Sequence, residues 1–172
     1  MSAPGNPADG AGGTLLEGAF SGSQAFAQLV RDALEVAARD GWKEMVWSDA
    51  SFHDWPLRER AVVDCLNAWA RPGRKLVMLA QSYDAVRRNK HRFVEWRIRW
   101  DHLVECRVGR SVNALGFTSA LWSPVWAMRR LDLVRSTGMA GTEPQRRLLL
   151  REELEESRRQ SLPGFPASTL GL

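Results

Sequence analysis

Between Ser23 and Asp40 the apolar side chains recur at helical spacing. Phe26, Leu29, Val30, Ala33, Leu34 and Ala37 fall at i, i+3, i+4, i+7, i+8 and i+11. That stripe predicts a helix with one buried face. Gly41, after Arg39 and Asp40, predicts its stop, because glycine enters the left-handed turn that ends a helix without steric cost. Glu44 to Trp47 is a brief apolar run closed by Ser48 and Asp49, the pattern of a buried strand leaving into a loop. In Asp54-Trp55-Pro56-Leu57 the proline suits a first helical turn, with Asp54 as the cap or a near-cap. Val62, Cys65, Leu66 and Trp69 then mark the apolar face of a helix ending at Arg71-Pro72-Gly73. Lys75 to Ala80 (KLVMLA) is a continuous apolar run, as expected of a strand covered on both faces.

Tyr83 to His102 reads as helix, with a break expected near Asn89-Lys90, and Leu103 to Val108 as a third strand. Strand and helix alternate at these spacings, so the predicted fold class is α/β: a mixed, largely parallel sheet with helices on both faces. Beyond Gly109 short strands flank Pro124, and Gly138 and Gly141 read as loosening the chain. A last helix is predicted from about Glu143 to Arg159, capped by Thr142, with Pro144 in its first turn and Leu150 and Leu154 on its apolar side. Residues 1–22, rich in Gly, Ala, Pro and Ser, bury too little to offset ordering entropy and are expected to form a flexible leader. Residues 23–160 form a single domain, and the tail 161–172 is apolar enough to pack on it.

Composition narrows the class. Hydrophobic content of 44% and charged content of 26% fit a globular chain with an ordinary core. No apolar run approaches the roughly 20 residues that span a bilayer, so no transmembrane segment is expected. The opening MSAPGNPADGAGG lacks the basic and apolar regions of a secretory signal, and the expected compartment is cytoplasmic. Cys65 and Cys106 read as small buried hydrophobes rather than a disulfide framework. From Arg71 to Arg110 arginine and lysine outnumber the acids Asp84, Glu95, Asp101 and Glu105. Within this stretch Arg87, Arg88, Lys90, Arg92, Arg97 and Arg99 form a candidate anion-binding cluster, for phosphate, nucleic acid or an acidic partner. A solvated basic face is the plainer account of the same residues.

Among candidate chemical groups, Asp49, His53 and Asp54 lie together where a strand ends, the edge at which open α/β sheets gather ligands. They are a candidate acid–base or metal cluster, although Asp49-x3-His53-Asp54 matches no motif of defined ligand geometry, and strand-ending and capping roles account for both aspartates. Ser82 lacks a G-x-S-x-G context and a spaced histidine, so it reads as a helix cap rather than a nucleophile. His53, His91, His102 and the two cysteines show no zinc spacing, and no Gly-rich phosphate loop is present. No catalytic residue, no metal and no cofactor are therefore assigned. Eight tryptophans offer stacking surfaces for bases. Trp69, Trp96 and Trp100 fall on apolar helix faces, which leaves Trp55 and Trp122 as those expected at the surface.

The run from Val46 to Arg107 resembles a bacterial family with a phospholipase D-like fold. The likeness is carried by VWSDASFHDWPLRERAVVDCLNAWAR, RKLVMLAQSYDAVRR and HRFVEWRIRWDHLVECR, with fainter support from Gly138 to Leu172. It implies one half-unit of a phospholipase D-like domain and, because such halves usually meet face to face, a homodimer. Enzymes of that kind carry H-x-K-x4-D, in which histidine forms the phosphoryl intermediate and lysine holds the phosphate oxygens. With the aspartate set on Asp132, Val125 and Ala127 stand where histidine and lysine belong. Neither side chain can do that work. The resemblance therefore implies a non-catalytic binding or interaction module. A metal-assisted hydrolase using Asp49, His53 and Asp54, and a structural or dimerisation subunit, are the alternatives.

Overall fold

A computed structural model describes residues 14–110 and 117–167. The chain runs β1 (Gly18–Phe20), α1 (Ser23–Asp40), β2 (Glu44–Ser48), α2 (Arg60–Trp69), β3 (Lys75–Ala80), α3 (Asp84–Asn89), α4 (His91–Arg99), β4 (Val104–Val108), β5 (Ser119–Trp122), β6 (Ala127–Asp132), β7 (Thr137–Gly141), α5 (Pro144–Arg159) and β8 (Leu162–Pro163). The strands form one open eight-stranded sheet in the order β1-β7-β6-β5-β2-β3-β4-β8.

The expectation of a largely parallel sheet is corrected. Only β2–β3 and β3–β4 are parallel; the other pairings are antiparallel. A parallel pair needs a long crossover, and among neighbouring strands helices link only β2 to β3 and β3 to β4. Short turns join β5, β6 and β7, and such turns can connect only antiparallel neighbours. The mixed α/β class and the helices on both faces stand.

Side chains alternate across the pleat, and each strand therefore feeds two cores. On one face Met45, Trp47, Leu76, Met78, Ala80, Leu121, Met128 and Ala140 pack against α1 to α4. On the other, Val77, Leu79, Ala120, Trp122 and Ala127 meet Leu150 and Leu154 of α5. α1 ends at Gly41 with φ 70°, in the left-handed turn its sequence predicted. The predicted break between α3 and α4 falls at Lys90.

Local departures have local causes. Gly18–Phe20, inside the stretch expected to be a flexible leader, pairs with β7; residues 1–13 of that leader lie outside the described residues, as do 168–172 of the tail. The described part of the tail pairs with β4 through β8 and buries Phe165 against Tyr83, with ring centroids 5.0 Å apart. Asp54 caps no helix, since α2 begins at Arg60. Glu143, not Thr142, caps α5, its carboxylate accepting from the amides of Gln145 and Arg146. Gly138 and Gly141 belong to β7 rather than to a loosened loop. A Cβ on Gly138 would sit 1.9 Å from the Arg129 carbonyl oxygen, so the glycine is what lets β6 and β7 close up there. Trp55 and Trp122, expected at the surface, are buried at 1% and 3% exposure. With Trp100 alone half-buried among the eight, stacking of bases on exposed indoles loses its basis.

Candidate anion-binding surface and a buried arginine centre

Asp49, His53 and Asp54 divide in the structure. Asp49 leaves β2 and turns the chain back on itself: its Oδ2 accepts from the amides of Ser51 and Phe52, and Phe52 takes a left-handed φ of 56°. The turn brings Asp54 beside Asp49, and a cation from far along the chain holds them together. Arg130 of β6 donates to Asp49 Oδ1 at 2.7 Å and to both oxygens of Asp54, the shorter at 2.5 Å. Its Nε donates to Ser119 and its Nη1 also to Ser136, so every N–H of the guanidinium has an acceptor. The Phe26 ring lies under it, 3.8 Å from Cζ to centroid.

Such an arrangement is structural chemistry. A desolvated guanidinium costs several kcal/mol unless paired and fully hydrogen-bonded, and this one is both. The arginine fills the space between the two carboxylates that a metal would need. His53 is exposed, with Nδ1 2.9 Å from Ser51 Oγ, and does not join them. Among the described residues no group of three or more His, Cys, Asp or Glu is placed to hold a metal ion.

The predicted cluster of cations also divides. Lys90 turns inward at the α3–α4 break, and its ammonium donates to the Trp55 carbonyl at 2.7 Å. Burial, with Arg58 nearby, holds it below the usual lysine range against the opposing pull of Asp54 and Glu59. Arg97 is buried as well, donating to the Phe165 carbonyl and to Asp101. These two hold the chain's own groups. Arg87, Arg88, Arg92 and Arg99 remain exposed.

Two cations outside the predicted cluster extend that surface. Arg58 and Arg60, at the entry to α2, face α3 and α4 across two adjoining hollows that share Arg92. One, of about 590 Å³, is lined by Arg58, Glu59, Asn89, His91 and Arg92. The other, of about 460 Å³, lies between α2 and α4, where Arg60, Asp64 and Asn67 oppose Arg92, Glu95 and Arg99. Glu59 is already engaged: Arg31 grips it through two bonds and holds its carboxyl below the usual range. Arg58, Arg60, Arg88, Arg92 and Arg99 form no ion pair among the described residues, as is also true of Arg71, Arg87, Arg135 and Arg146 elsewhere on the surface. One signal was readable in advance. Arg92, Glu95 and Arg99 recur at i, i+3 and i+7, a polar stripe beside buried Phe93 and Trp96.

The positions that the H-x-K-x4-D register assigns lie on and beside β6. Val125 is half exposed in the turn before the strand, Ala127 opens it, and Asp132 closes it, accepting from the Arg135 amide at 3.0 Å to shape the turn into β7. The strand and its turn are in place without a nucleophile or a phosphate-holding cation at those positions.

Comparison with solved structures shows the fold. The chain is similar to NucT. That protein, from Helicobacter pylori, is a phospholipase D-like nuclease; the match has a TM-score of 0.57 and 8% identity and covers 85% of this chain and 97% of NucT. A second similar structure is TrmBL2, an archaeal chromatin protein, with a TM-score of 0.61, 14% identity and 85% coverage of this chain. The chain spans about half of TrmBL2, 54% of its length. No family model and no curated protein sequence matches. The likeness to NucT fits a phospholipase D-like fold.

Proposed function

We propose that this chain is a non-catalytic phospholipase D-like module that binds a polyanion, nucleic acid foremost, through the arginines of α2 to α4. The observation that carries the reading is the set of exposed arginines without carboxylate partners, Arg58, Arg60, Arg92 and Arg99, around the two hollows. Guanidinium groups grip phosphate oxygens bidentately and stay charged at any physiological pH. A surface that leaves them unpaired keeps that capacity free for a ligand. TrmBL2, which shares the fold, is described as binding DNA, and that supports the class of ligand without placing it. Val125 and Ala127 support the non-catalytic half of the proposal, since neither can attack phosphorus or bind its oxygens.

The test is fluorescence anisotropy with labelled duplex and single-stranded nucleic acid at low salt. The expected result is binding that weakens by about tenfold or more when Arg60, Arg92 and Arg99 are replaced together by alanine. No binding by the wild-type chain at low salt removes the proposal. Turnover of a phosphodiester such as bis(p-nitrophenyl) phosphate removes its non-catalytic half.

A further inference from the structure

The hollow between α2 and α4 holds more than cations. Arg60, Asp64 and Asn67 follow one another at i, i+4 and i+7 on α2, and Glu95 and Arg99 at i and i+4 on α4. Both stripes line the same space of about 460 Å³, with the buried side chains of Val63 and Trp96 beneath it. Arg60 and Asp64, like Glu95 and Arg99, stand at the spacing where opposite charges pair along a helix. Neither pair forms, and Arg92 does not pair with Glu95. Asp64, Asn67 and Glu95 are exposed, and their side chains make no hydrogen bond among the described residues.

Phosphate alone does not account for this lining. It gains from Arg60, Arg92 and Arg99 and loses to Asp64 and Glu95 in the same hollow. A nucleotide satisfies both signs, because its phosphate is anionic and its base edge carries amines as well as carbonyls. Carboxylates select a base that presents an amine. Cytosine offers its N4 amine, from which aspartate or glutamate accepts. Thymine puts the O4 carbonyl in that place, and a carboxylate repels it. The Asn67 amide, one turn beyond Asp64, can donate to the N3 or O2 acceptor beside the amine. Base pairing consumes this edge in a duplex, so only an unpaired base offers it.

We infer that the hollow between α2 and α4 reads an unpaired base of a single strand and selects cytosine. Asp64 and Glu95 accept from its amine, Asn67 donates to its ring acceptors, and the flanking arginines hold the phosphates. The inference rests on the reading of α2 to α4 as a polyanion surface, and it adds to that reading the strand state and the base.

Anisotropy on the full chain tests it, with labelled oligodeoxycytidylate and oligothymidylate of equal length, at low salt and slightly alkaline pH, where cytosine is unprotonated. The wild-type chain is expected to bind the cytosine strand about tenfold more tightly than the thymine strand. The double variant Asp64→Asn, Glu95→Gln changes only exposed side chains. It is expected to bind both strands more tightly, having lost two negative charges, and to bring the ratio between them close to one. Asn67→Ala is expected to lower the ratio without that general gain. A wild-type ratio near one overturns the inference and leaves polyanion binding standing. So does a tenfold ratio that the double variant preserves, or a duplex bound more tightly than the cytosine strand. Binding of neither strand nor duplex removes the polyanion reading itself, and this inference with it.

Discussion

Arg130 is a cation that the core accommodates because each of its N–H groups has an acceptor. Removing it strands two carboxylates, one of them almost fully buried. Arg130→Met is therefore expected to destabilise the fold by about 3–5 kcal/mol, measured by urea unfolding; a loss below about 1 kcal/mol would mean that water already solvates the pair. Half of this centre was legible in the sequence. Strand alternation puts Met128 and Arg130 on the same face, so one arginine of the pair Arg129-Arg130 had to point inward. Its partners were not legible, because Asp49 lies 81 positions away and Asp54 76, and no local pattern reports a contact at that range. The same limit hid Lys90 and Arg97, whose chemical type suits an anion site but whose side chains the fold turns inward. Cys106 offers a second residue-level measurement. Burial pushes its thiol up to about 11 from an ordinary 9.0. Between those values the folded chain keeps a proton that the unfolded chain releases, so stability falls as pH rises through that window. The full difference is on the order of 2–3 kcal/mol. Urea midpoints of wild type and Cys106→Ala between pH 9 and 11 should show a shallower decline in the variant, and parallel curves would contradict the assignment.

At the level of elements, legibility followed periodicity. α1, β2, β3, the interrupted α3–α4 segment and α5 each carry a run long enough for spacing to decide between helix and strand. β1, β5, β6 and β7 lack a long continuous apolar run or a clean alternation, and their identity comes from pairing. Gly138 illustrates this: glycine in a run of small residues reads as loop, yet its missing Cβ is what allows β7 to lie against Arg129 of β6. Gly138→Ala is expected to cost about 3 kcal/mol through overpacking, and a thermal melt within a degree or two of wild type would show that β6 and β7 can separate at little cost. Whether the sheet is parallel is also a property of the connections. The crossovers between β2 and β4 make two parallel pairs, and the expectation of a largely parallel sheet gave too little weight to the antiparallel pairs that the short strands add.

For the whole molecule, the two sides of the sheet carry different surfaces. The side covered by α1 to α4 presents arginines without carboxylate partners, and the α5 side presents leucines and a groove beside β6. The chain is similar in fold to NucT, and Val125 and Ala127 stand at the positions where the H-x-K-x4-D register would place histidine and lysine. Binding through arginine carries a quantitative signature. Each phosphate neutralised on duplex DNA contributes about −0.9 to the slope of log K against log salt. The decisive measurement is that slope for the wild-type chain and for the variant with Arg60, Arg92 and Arg99 replaced by alanine. Binding through α2 to α4 requires a steep wild-type slope that flattens by about one for each arginine removed. A slope near zero, or a steep one that the substitutions leave unchanged, would contradict it.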